Sequence, residues 1–338
     1  MIDLGPWLAD VPVATLERIR AARSVLALTH ENPDADTIGA ALAIARLVEA
    51  LGGRASLVCT DPIPPLYAFI PGVAAFRTDP EPGVRYDLVV VSDCGGFDRT
   101  GPVAERNRDL LEALPRVILD HHASSHDVGP ADWVDPGAAA TCELITLLAT
   151  RLGVPLTAAD GELAGALMAG VVMDTATFAH PNATPRTLAV AAALVEAGAP
   201  LSDISRRLYR TKPIAQLRLF GRILDRIETA ADGRIVFGTL LAGDLAATGA
   251  SAAQSEGLID LLSQAEEADV AILFKEADAT TRISVRTRPG GVDATELTGT
   301  FGGGGHARAA GATVAGSIDA ARPLVLAEAG RLIAALGR

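Results

Sequence analysis

The sequence predicts an α/β protein of two domains, built from parallel sheet and helix. At 338 residues, and on a prior of about 150 residues per domain, the chain is long enough for two separate cores. Apolar residues make up 49% and aromatic residues only 4%, so these cores consist mainly of Ala, Val, Leu and Ile. Short apolar runs in the first half end in polar residues and lead into helical patterns, which is typical of buried parallel strands.

The first strand–loop–helix unit carries a dense set of polar side chains. Residues 24–28 are predicted as a buried strand and residues 38–51 as a helix, and the loop between them holds His30, Asp34 and Asp36. Asp is favoured at helix starts, so capping is an alternative role for the two acids. Because one Asp would suffice for a cap, we interpret the His and two Asp as candidate metal ligands.

The next strands repeat this arrangement. Residues 55–60 form a predicted strand, and residues 86–92 form another that ends at Asp93, followed by Cys94, Gly95 and Gly96. An Asx-turn before two glycines would also explain Asp93. Arg99, a few residues downstream, is equally consistent with a phosphate contact and with a surface turn.

A third apolar run ends in an acid and two imidazoles. Residues 117–119 lead directly into Asp120, His121 and His122, at the carboxyl end of a strand, where open α/β sheets bind ligands. A polar turn with solvated histidines is the alternative. Helices are predicted at 138–152 and 162–171, and Asp174 follows in apolar surroundings, where a carboxylate needs a cation, hydrogen bonds or a metal ion. A further amphipathic helix is predicted at 184–199.

The composition changes after this helix. Residues 199–232 read as an arginine-rich helical linker, for which a solvated, salt-bridged face is favoured over a substrate contact. In residues 233–338 we predict strands at 235–240, 270–275 and 282–287 and helices at 252–267, 292–299 and 318–336. The sequence therefore divides into domains 1–198 and 233–338.

A glycine-rich segment in the second domain precedes two basic residues. Four consecutive glycines, from Gly302 to Gly305, allow the backbone to approach a ligand and to direct N–H groups at an anion. His306 and Arg308 follow, and Arg282, Arg286 and Arg288 are near or on a predicted strand. A flexible turn is the alternative, but the basic residues favour an anion site. The segment lacks the GxxxxGK[ST] pattern of a P-loop.

Charge and cysteine content exclude several classes of protein. A net charge of −12 argues against binding long duplex nucleic acid, because such binding neutralises many phosphates with Lys and Arg. The three cysteines form no CxxC pair, so neither a disulfide framework nor a thiolate zinc site is indicated, and a reducing cytoplasm fits best. Residues 1–10 lack the pattern of a signal peptide, and the apolar stretch 188–201 is too short and interrupted to span a membrane. We expect a soluble, cytoplasmic protein.

The candidate ligands of the first domain are oxygens and imidazole nitrogens. This mixture suits a pair of hard divalent ions, with manganese favoured over zinc in the absence of thiolates. Two such ions about 3.5 to 4 Å apart can activate a shared hydroxide and clamp a phosphoryl group for in-line attack. The expected chemistry is hydrolysis of a phosphoester without a covalent intermediate.

These motifs resemble those of the DHH phosphoesterase family. The four motifs of that family are matched in order by His30-x3-Asp34-x-Asp36, Asp93 after a run of valines, Asp120-His121-His122, and Asp174-Thr175. Residues 302–311 resemble the Gly-Gly-Gly-His and Ala-Ala-Gly signature of its DHH-associated carboxyl-terminal domain. The layout is similar to the NrnA type, whose members are nanoRNases that also act as pAp phosphatases, some hydrolysing linear or cyclic dinucleotides. The resemblance implies a doubly wound parallel sheet in the first domain, a mixed sheet in the second, and a cleft between them.

The resemblance also implies roles for individual residues. It assigns His30 and Asp34 to one Mn²⁺, assigns Asp36, His121 and Asp174 to the other, and makes Asp93 the bridge. His122 would contact the scissile phosphate or assist the leaving oxygen, and Asp120 would fix an imidazole tautomer. Mg²⁺ or Co²⁺ could replace Mn²⁺. In the second domain, substrate binding falls to Ser284, Arg286, Gly303, Gly304, Gly305, His306 and Arg308.

The expected activity is removal of mononucleotides from very short oligoribonucleotides such as pApA and dephosphorylation of pAp, with cyclic dinucleotides such as cyclic di-AMP as further substrates. A homodimer is also implied.

Two departures from the family pattern lie beside the site. They are Ser124-Ser125-His126 after the DHH motif and Ala176 after Thr175, and they leave the substrate preference open. An inorganic pyrophosphatase and a non-catalytic nucleotide sensor are the alternative functions.

Overall fold

A computed structural model describes residues 2–125 and 128–337. The contacts divide the chain into two compact units, Met1–Thr211 and Lys212–Arg338. This division falls inside the stretch predicted as a linker. His126, part of the departure after the DHH motif, lies outside the described residues.

The first unit is organised around a five-stranded parallel sheet. Its strands are β1 (Ser24–Leu28), β2 (Arg54–Val58), β3 (Leu88–Ser92), β4 (Arg116–Asp120) and β5 (Trp133–Val134). Their order in the sheet is β2-β1-β3-β4-β5, with every pair parallel. The predicted parallel α/β fold of this domain is therefore confirmed.

Helices cover both faces of this sheet. Alternate residues of each strand point to opposite sides, and both sets are apolar, so both faces are buried. On β1, Val25 and Ala27 enter one hydrophobic cluster, whereas Leu26 and Leu28 enter another. The helices of this unit are α1 (Val13–Ala21), α2 (Ala35–Ala50), α3 (Pro102–Arg106), α4 (Arg108–Ala113), α5 (Thr141–Leu152), α6 (Glu162–Asp174), α7 (Pro185–Glu196) and α8 (Leu201–Tyr209). Short 3-10 helices lie at Gly5–Asp10, Pro65–Tyr67, Val73–Ala75, Phe97–Arg99 and Ala159–Gly161.

The strand order contains a topological switch point between β1 and β3. The chain moves outward to β2 after β1, and it returns to the opposite side of β1 to form β3. Connections from the two strands diverge there, which opens a crevice at their carboxyl ends. His30 follows β1 and Asp93 follows β3, so two predicted ligands lie at this position.

The second unit contains a six-stranded mixed sheet. Its strands are β6 (Glu228–Ala230), β7 (Ile235–Leu240), β8 (Val270–Ala277), β9 (Thr280–Thr287), β10 (Gly304–His306) and β11 (Ala309–Ala315), in the order β10-β11-β9-β8-β7-β6. Only the β7–β8 pair of these described strands is parallel. The helices are α9 (Ile214–Leu224), α10 (Ala242–Thr248), α11 (Leu258–Leu262), α12 (Ala294–Gly299) and α13 (Ile318–Ala335), with a 3-10 helix at Ala252–Ser255. The predicted mixed sheet is confirmed.

One predicted helix is shorter than expected. The pattern over 252–267 indicated a single helix, but the structure has the 3-10 turn Ala252–Ser255 followed by α11. Gly257 adopts a left-handed φ of 81° between them, and a residue in that conformation interrupts a right-handed helix.

No single helix within residues 2–125 and 128–337 is long and apolar enough to cross a membrane. The helices α7 and α8 reach the length and apolar composition of a span only when joined, and a bend of 114° separates them.

Candidate metal centre

The predicted ligands of the first unit lie together at the carboxyl edge of its sheet. His30, Asp93 and the segment 120–122 follow or end β1, β3 and β4. Asp34 and Asp36 lie at the amino end of α2, and Asp174 is the last residue of α6. Five elements therefore bring their polar ends to one place.

Nitrogen and oxygen atoms of these side chains form three overlapping groups, and within each group all ligand atoms lie within 4.8 Å of one another. The groups are His30 with Asp34 and Asp93, Asp93 with His121 and His122, and Asp36 with His121 and Asp174. Asp93 and His121 each belong to two groups. The site is therefore one continuous cluster rather than separate pairs.

Asp93 is at the centre of this cluster. One carboxylate oxygen lies 3.4 Å from Nε2 of His30, and the other lies 3.5 Å from Nε2 of His121 and 3.7 Å from Nδ1 of His122. The side chain is buried, and its backbone adopts a left-handed φ of 65°. Asp tolerates that conformation better than most residues, so the turn after β3 can direct the carboxylate towards both imidazoles.

Backbone carbonyls fix the orientation of two imidazoles. Nδ1 of His30 donates to the Glu31 carbonyl at 2.7 Å, and Nδ1 of His121 donates to the Ala138 carbonyl at 3.3 Å. A carbonyl can only accept, so Nδ1 carries the hydrogen and Nε2 faces the carboxylates. This is the arrangement by which proteins set the tautomer of a metal-binding histidine.

The amino terminus of α5 holds the carboxylate of Asp36. The N–H of Thr141 donates to one carboxylate oxygen at 2.6 Å, and the N–H of Cys142 donates to the other at 3.0 Å. Helix amino termini favour such negative groups, since their first N–H groups have no partner within the helix. Asp36 is fully buried, and a Cβ at Gly170 of α6 would lie 2.2 Å from its carboxylate oxygen. Close packing of α6 therefore leaves Asp36 little freedom.

Asp34 caps a helix and also lies in the cluster. Its carboxylate caps α2 by accepting from the N–H groups of Asp36 at 2.9 Å and Thr37 at 3.1 Å. The same oxygen lies 3.9 Å from Nε2 of His30. Capping thus holds the carboxylate at the edge of the cluster.

Asp120 orients the second histidine of its motif. Its carboxylate accepts from Nδ1 of His122 at 2.8 Å and from the backbone N–H of His121 at 2.8 Å, and the Ser125 hydroxyl donates to its other oxygen. Burial alone would raise the pKa of Asp120, but the hydrogen bonds from His122 and Ser125 outweigh it and lower that pKa. The ionised carboxylate therefore fixes His122 with Nε2 directed away from Asp120.

The remaining acids share a strong mutual repulsion. Burial, followed by the charge of Asp36, raises the pKa of Asp93 well above the usual value of an aspartate. The same two causes raise the pKa of Asp174 to about 7. Burial opposes the charge on His121, but its hydrogen bond with Asp174 and the nearby carboxylates raise its pKa to about 9. Within the described residues, neither Lys nor Arg forms an ion pair with Asp36, Asp93 or Asp174.

Sequence reasoning missed several residues that position this cluster. Thr141 donates its hydroxyl to Asp93 at 3.0 Å, and the side-chain amide of Asn182 bridges the carbonyls of Ala139 and Asp174 at 3.2 Å each. The predicted helix start at 138 hid the role of Thr141, because the helix begins at Thr141 itself. No local pattern indicates Asn182, whose contacts depend on the packing of two distant segments.

Four of the candidate substrate residues of the second unit, Ser284, Arg286, Gly304 and His306, share one face of its sheet. In the antiparallel register, Gly304 opposes Gly311, which opposes Ser284, and His306 opposes Ala309, which opposes Arg286. Opposed residues of antiparallel strands project to the same side. The Gly303 N–H donates to the Thr298 carbonyl at 2.9 Å, and a Cβ there would lie 2.2 Å from the Gly311 carbonyl oxygen. His306 and Arg308 are exposed, and Arg286 pairs with Asp260 at 2.9 Å.

Comparison with known proteins identifies both units. The family model described as the DHH family, N-terminal domain, matches residues 24–171, and the DHHA1 domain model matches residues 235–334. The chain is 32% identical over 299 residues to the bifunctional oligoribonuclease and PAP phosphatase NrnA of Thermus thermophilus, covering 88% of this chain and 86% of that protein. It is 25% identical to the Bacillus subtilis protein of the same name, covering 84% and 87%.

A solved structure shows the same fold. An exopolyphosphatase-related protein from Bacteroides fragilis aligns with a TM-score of 0.85 at 20% identity, covering 96% of this chain and 98% of that protein. The parallel sheet, its cluster of acids and imidazoles and these relatives together define a metal-dependent hydrolase that acts on phosphoester bonds. The chain belongs to the DHH phosphoesterase family, and the predicted resemblance to its NrnA type is confirmed.

Proposed function

We propose that this protein binds two Mn²⁺ ions in the first unit and hydrolyses two kinds of substrate to mononucleotides. These substrates are short oligoribonucleotides such as pApA and the bisphosphate pAp. Cyclic dinucleotides such as cyclic di-AMP are proposed as further substrates, and Mg²⁺ or Co²⁺ as substitutes for Mn²⁺. The names of the Thermus thermophilus and Bacillus subtilis relatives support the choice of substrates.

The observation that carries this proposal is the shared position of Asp93 and His121 in the overlapping ligand groups. Clustered buried carboxylates without a Lys or Arg partner are costly unless other cations compensate their charge. Oxygen and imidazole donors suit hard divalent ions, whereas the three cysteines are buried and burial raises the pKa of each thiol. The donor set therefore fits divalent metal ions and does not fit a thiolate site.

We assign the ligands from these groups. His30, Asp34 and Asp93 would hold one ion, and Asp36, His121 and Asp174 would hold the other, with Asp93 shared between them. When bound, the two ions would act as Lewis acids that withdraw charge from the phosphoryl oxygens and acidify water.

The chain itself would position the substrate and move a proton. Asp120 holds His122 through Nδ1, so Nε2 of His122 is free to contact the scissile phosphate and to donate a proton to the leaving oxygen. In the second unit, Ser284, Arg286, His306 and Arg308, together with the backbone of Gly304 and Gly305, are proposed to bind the nucleotide, whereas the Gly303 N–H already donates to the Thr298 carbonyl. Arg286 would exchange its contact with Asp260 for a phosphate, which its planar guanidinium can bind in a bidentate manner.

A direct test is to incubate the purified protein with Mn²⁺ and, separately, with pApA, pAp, cyclic di-AMP and pyrophosphate, and to separate the products chromatographically. Turnover of pApA and pAp, abolished by EDTA and restored by Mn²⁺, is expected. Asp93→Asn should be inactive, whereas Asp109→Asn, which changes an exposed acid outside the cluster, should retain activity. Turnover of pyrophosphate alone would favour the pyrophosphatase alternative, and a metal-loaded protein that hydrolyses none of the four would be a sensor.

A further inference from the structure

A small cavity of about 170 Å³ lies directly beside the metal cluster in the first unit. Asp93 and His122 form one part of its wall, and Arg99, Asp98 and Ser124 form another. A ligand that contacts His122 therefore has room to extend towards Arg99.

The backbone of Arg99 is fixed relative to the cluster. It ends the 3-10 turn Phe97–Arg99, and its carbonyl accepts from the N–H of Glu31 at 2.8 Å, one residue after His30. The buried Thr100 hydroxyl then donates to the Phe97 carbonyl at 2.8 Å. The start of the Arg99 side chain is thereby tied to the loop that carries His30.

The opposite wall is held equally closely. A Cβ at Gly95 would lie 2.8 Å from the Cα and from the hydroxyl oxygen of Ser125, so only glycine allows these two loops to pack together. The loop after Asp93 and the loop after His122 therefore form a defined boundary to the cavity.

The guanidinium of Arg99 has no bound counter-charge. It is exposed and forms neither a hydrogen bond nor an ion pair within residues 2–125 and 128–337. Arg106 and Arg186 of the same unit, by contrast, bind carboxylates at 3.0 Å and 2.5 Å. Even the adjacent Asp98 does not pair with Arg99, so a fork of N–H donors remains available beside the cluster.

We propose that Arg99 binds a second phosphate of the substrate, a terminal monoester one nucleoside away from the phosphate at the metal cluster. This inference rests on the proposed function. A monoester carries more charge than a diester, and its oxygens match the guanidinium fork. A carboxylate repels phosphate, so Asp98 does not suit a site for phosphate alone. Its oxygens can instead accept a hydrogen bond from a sugar hydroxyl. The cavity therefore suits a ribonucleotide, which carries both a phosphate and a sugar hydroxyl.

The proposal is tested by comparing substrates that differ only in this phosphate. We would measure kcat/KM for pAp, 3′-AMP and 5′-AMP in the wild-type protein, Arg99→Ala, Arg99→Lys and the control Arg108→Ala, an exposed arginine on α4 that pairs with Glu112. A charged hydrogen bond contributes about 10- to 100-fold, so pAp should exceed the better monophosphate by about that factor. Arg99→Ala should bring the ratio close to one, Arg99→Lys should retain part of it, and Arg108→Ala should retain all of it.

Two results would overturn the assignment: an unchanged ratio in Arg99→Ala, or a wild-type protein that does not prefer pAp. Failure of the proposed function is distinguishable, because it appears as absence of turnover of all three substrates in the wild type. If no substrate is turned over, calorimetric titration of the Mn²⁺-loaded proteins with pAp tests whether Arg99 binds the second phosphate. For the proposal to stand, Arg99→Ala must bind pAp at least about tenfold more weakly than the wild-type protein does.

Discussion

Nε of Arg186 donates a hydrogen bond of 2.5 Å to the carboxylate of Glu143, a residue that is fully buried on α5. The guanidinium also contacts Asp135 at 2.8 Å, and Glu143 accepts from the N–H of Ala139 at 3.2 Å. The pair therefore secures the segment 135–141, whose backbone contacts His121 and Asp36. A salt bridge outside the cluster thus positions two of its members.

Arg186→Leu should destabilise the protein, because it leaves Glu143 charged and buried without a cationic partner. A loss of about 3 kcal/mol in the free energy of unfolding is expected, together with weaker Mn²⁺ binding, since the segment 135–141 loses its anchor. Chemical denaturation and Mn²⁺ titration would measure the two effects. The double variant with Glu143→Leu should recover part of the stability, whereas Arg106→Leu, which breaks an exposed pair, should cost under about 1 kcal/mol. Equal losses in Arg186→Leu and Arg106→Leu would contradict this role.

Gly170→Ala should disrupt the cluster, because the new Cβ would lie 2.2 Å from the Asp36 carboxylate and 2.5 Å from the Cys142 sulfur. Overpacking of this kind typically costs about 1 to 3 kcal/mol, and displacement of Asp36 should weaken Mn²⁺ binding. Gly165→Ala, on the same helix, meets no atom within 4 Å and should be neutral or stabilising by about 0.5 to 1 kcal/mol. Thermal unfolding and Mn²⁺ titration of both variants would check this, and similar behaviour of the two would show that Gly170 is not a packing requirement.

Asp120→Asn should slow turnover more than it weakens substrate binding. The amide no longer holds the charge that orients His122, whose Nδ1 now lies 2.8 Å from the carboxylate. Loss of such an orienting partner typically costs about 10- to 100-fold in activity, and we expect this loss in kcat for pApA with KM little changed. Steady-state kinetics would separate the two constants, and a change confined to KM would contradict the orienting role.

Stability of the metal-free protein should fall as pH rises. The folded pKa of Asp174 is raised from 3.8 to about 7, so the folded protein holds a proton that the unfolded chain releases. Protonation of Asp174 therefore stabilises the folded state, and this contribution declines from about pH 4 to about pH 7. The pKa of His121 is raised from 6.5 to about 9, so its contribution is complete below about pH 6.5 and lost through about pH 9.

Mn²⁺ should reverse this trend, because ligands must lose their protons to bind a metal ion. Melting temperatures measured in EDTA and in Mn²⁺ across this pH range should therefore diverge as pH rises. Parallel curves in the two conditions would indicate that neither Asp174 nor His121 is coupled to metal binding.

Much of the cluster could be predicted because parallel strands deliver their carboxyl ends to one edge. This rule places His30, Asp93 and His121 together from the sequence alone, and β1 has the predicted bounds. The orientation of Asp36 could not be predicted, since it depends on how the first turn of α5 meets α2. Asp174 was expected after a helix ending at 171, but it lies on the last turn of α6.

In the second unit, too, the bounds of a strand could be predicted from its local sequence, whereas the pairing between strands could not. The bounds of β7 follow directly from its apolar pattern, whereas the register that puts Ser284 and Arg286 beside β10 depends on pairing between distant segments. Gly303 was expected to direct its N–H at an anion. The donation of that N–H to Thr298 depends on how the chain turns after α12, which the glycine run does not encode.

We expect hydrolysis to require a pair of divalent ions held by this cluster. The most direct test is the turnover of pApA as a function of Mn²⁺ bound per chain, determined by equilibrium dialysis on EDTA-treated protein. Turnover should be absent without metal and should reach its maximum at about two Mn²⁺ per chain. Full turnover in the metal-free protein, or saturation with Mn²⁺ without any hydrolysis of pApA, would contradict it.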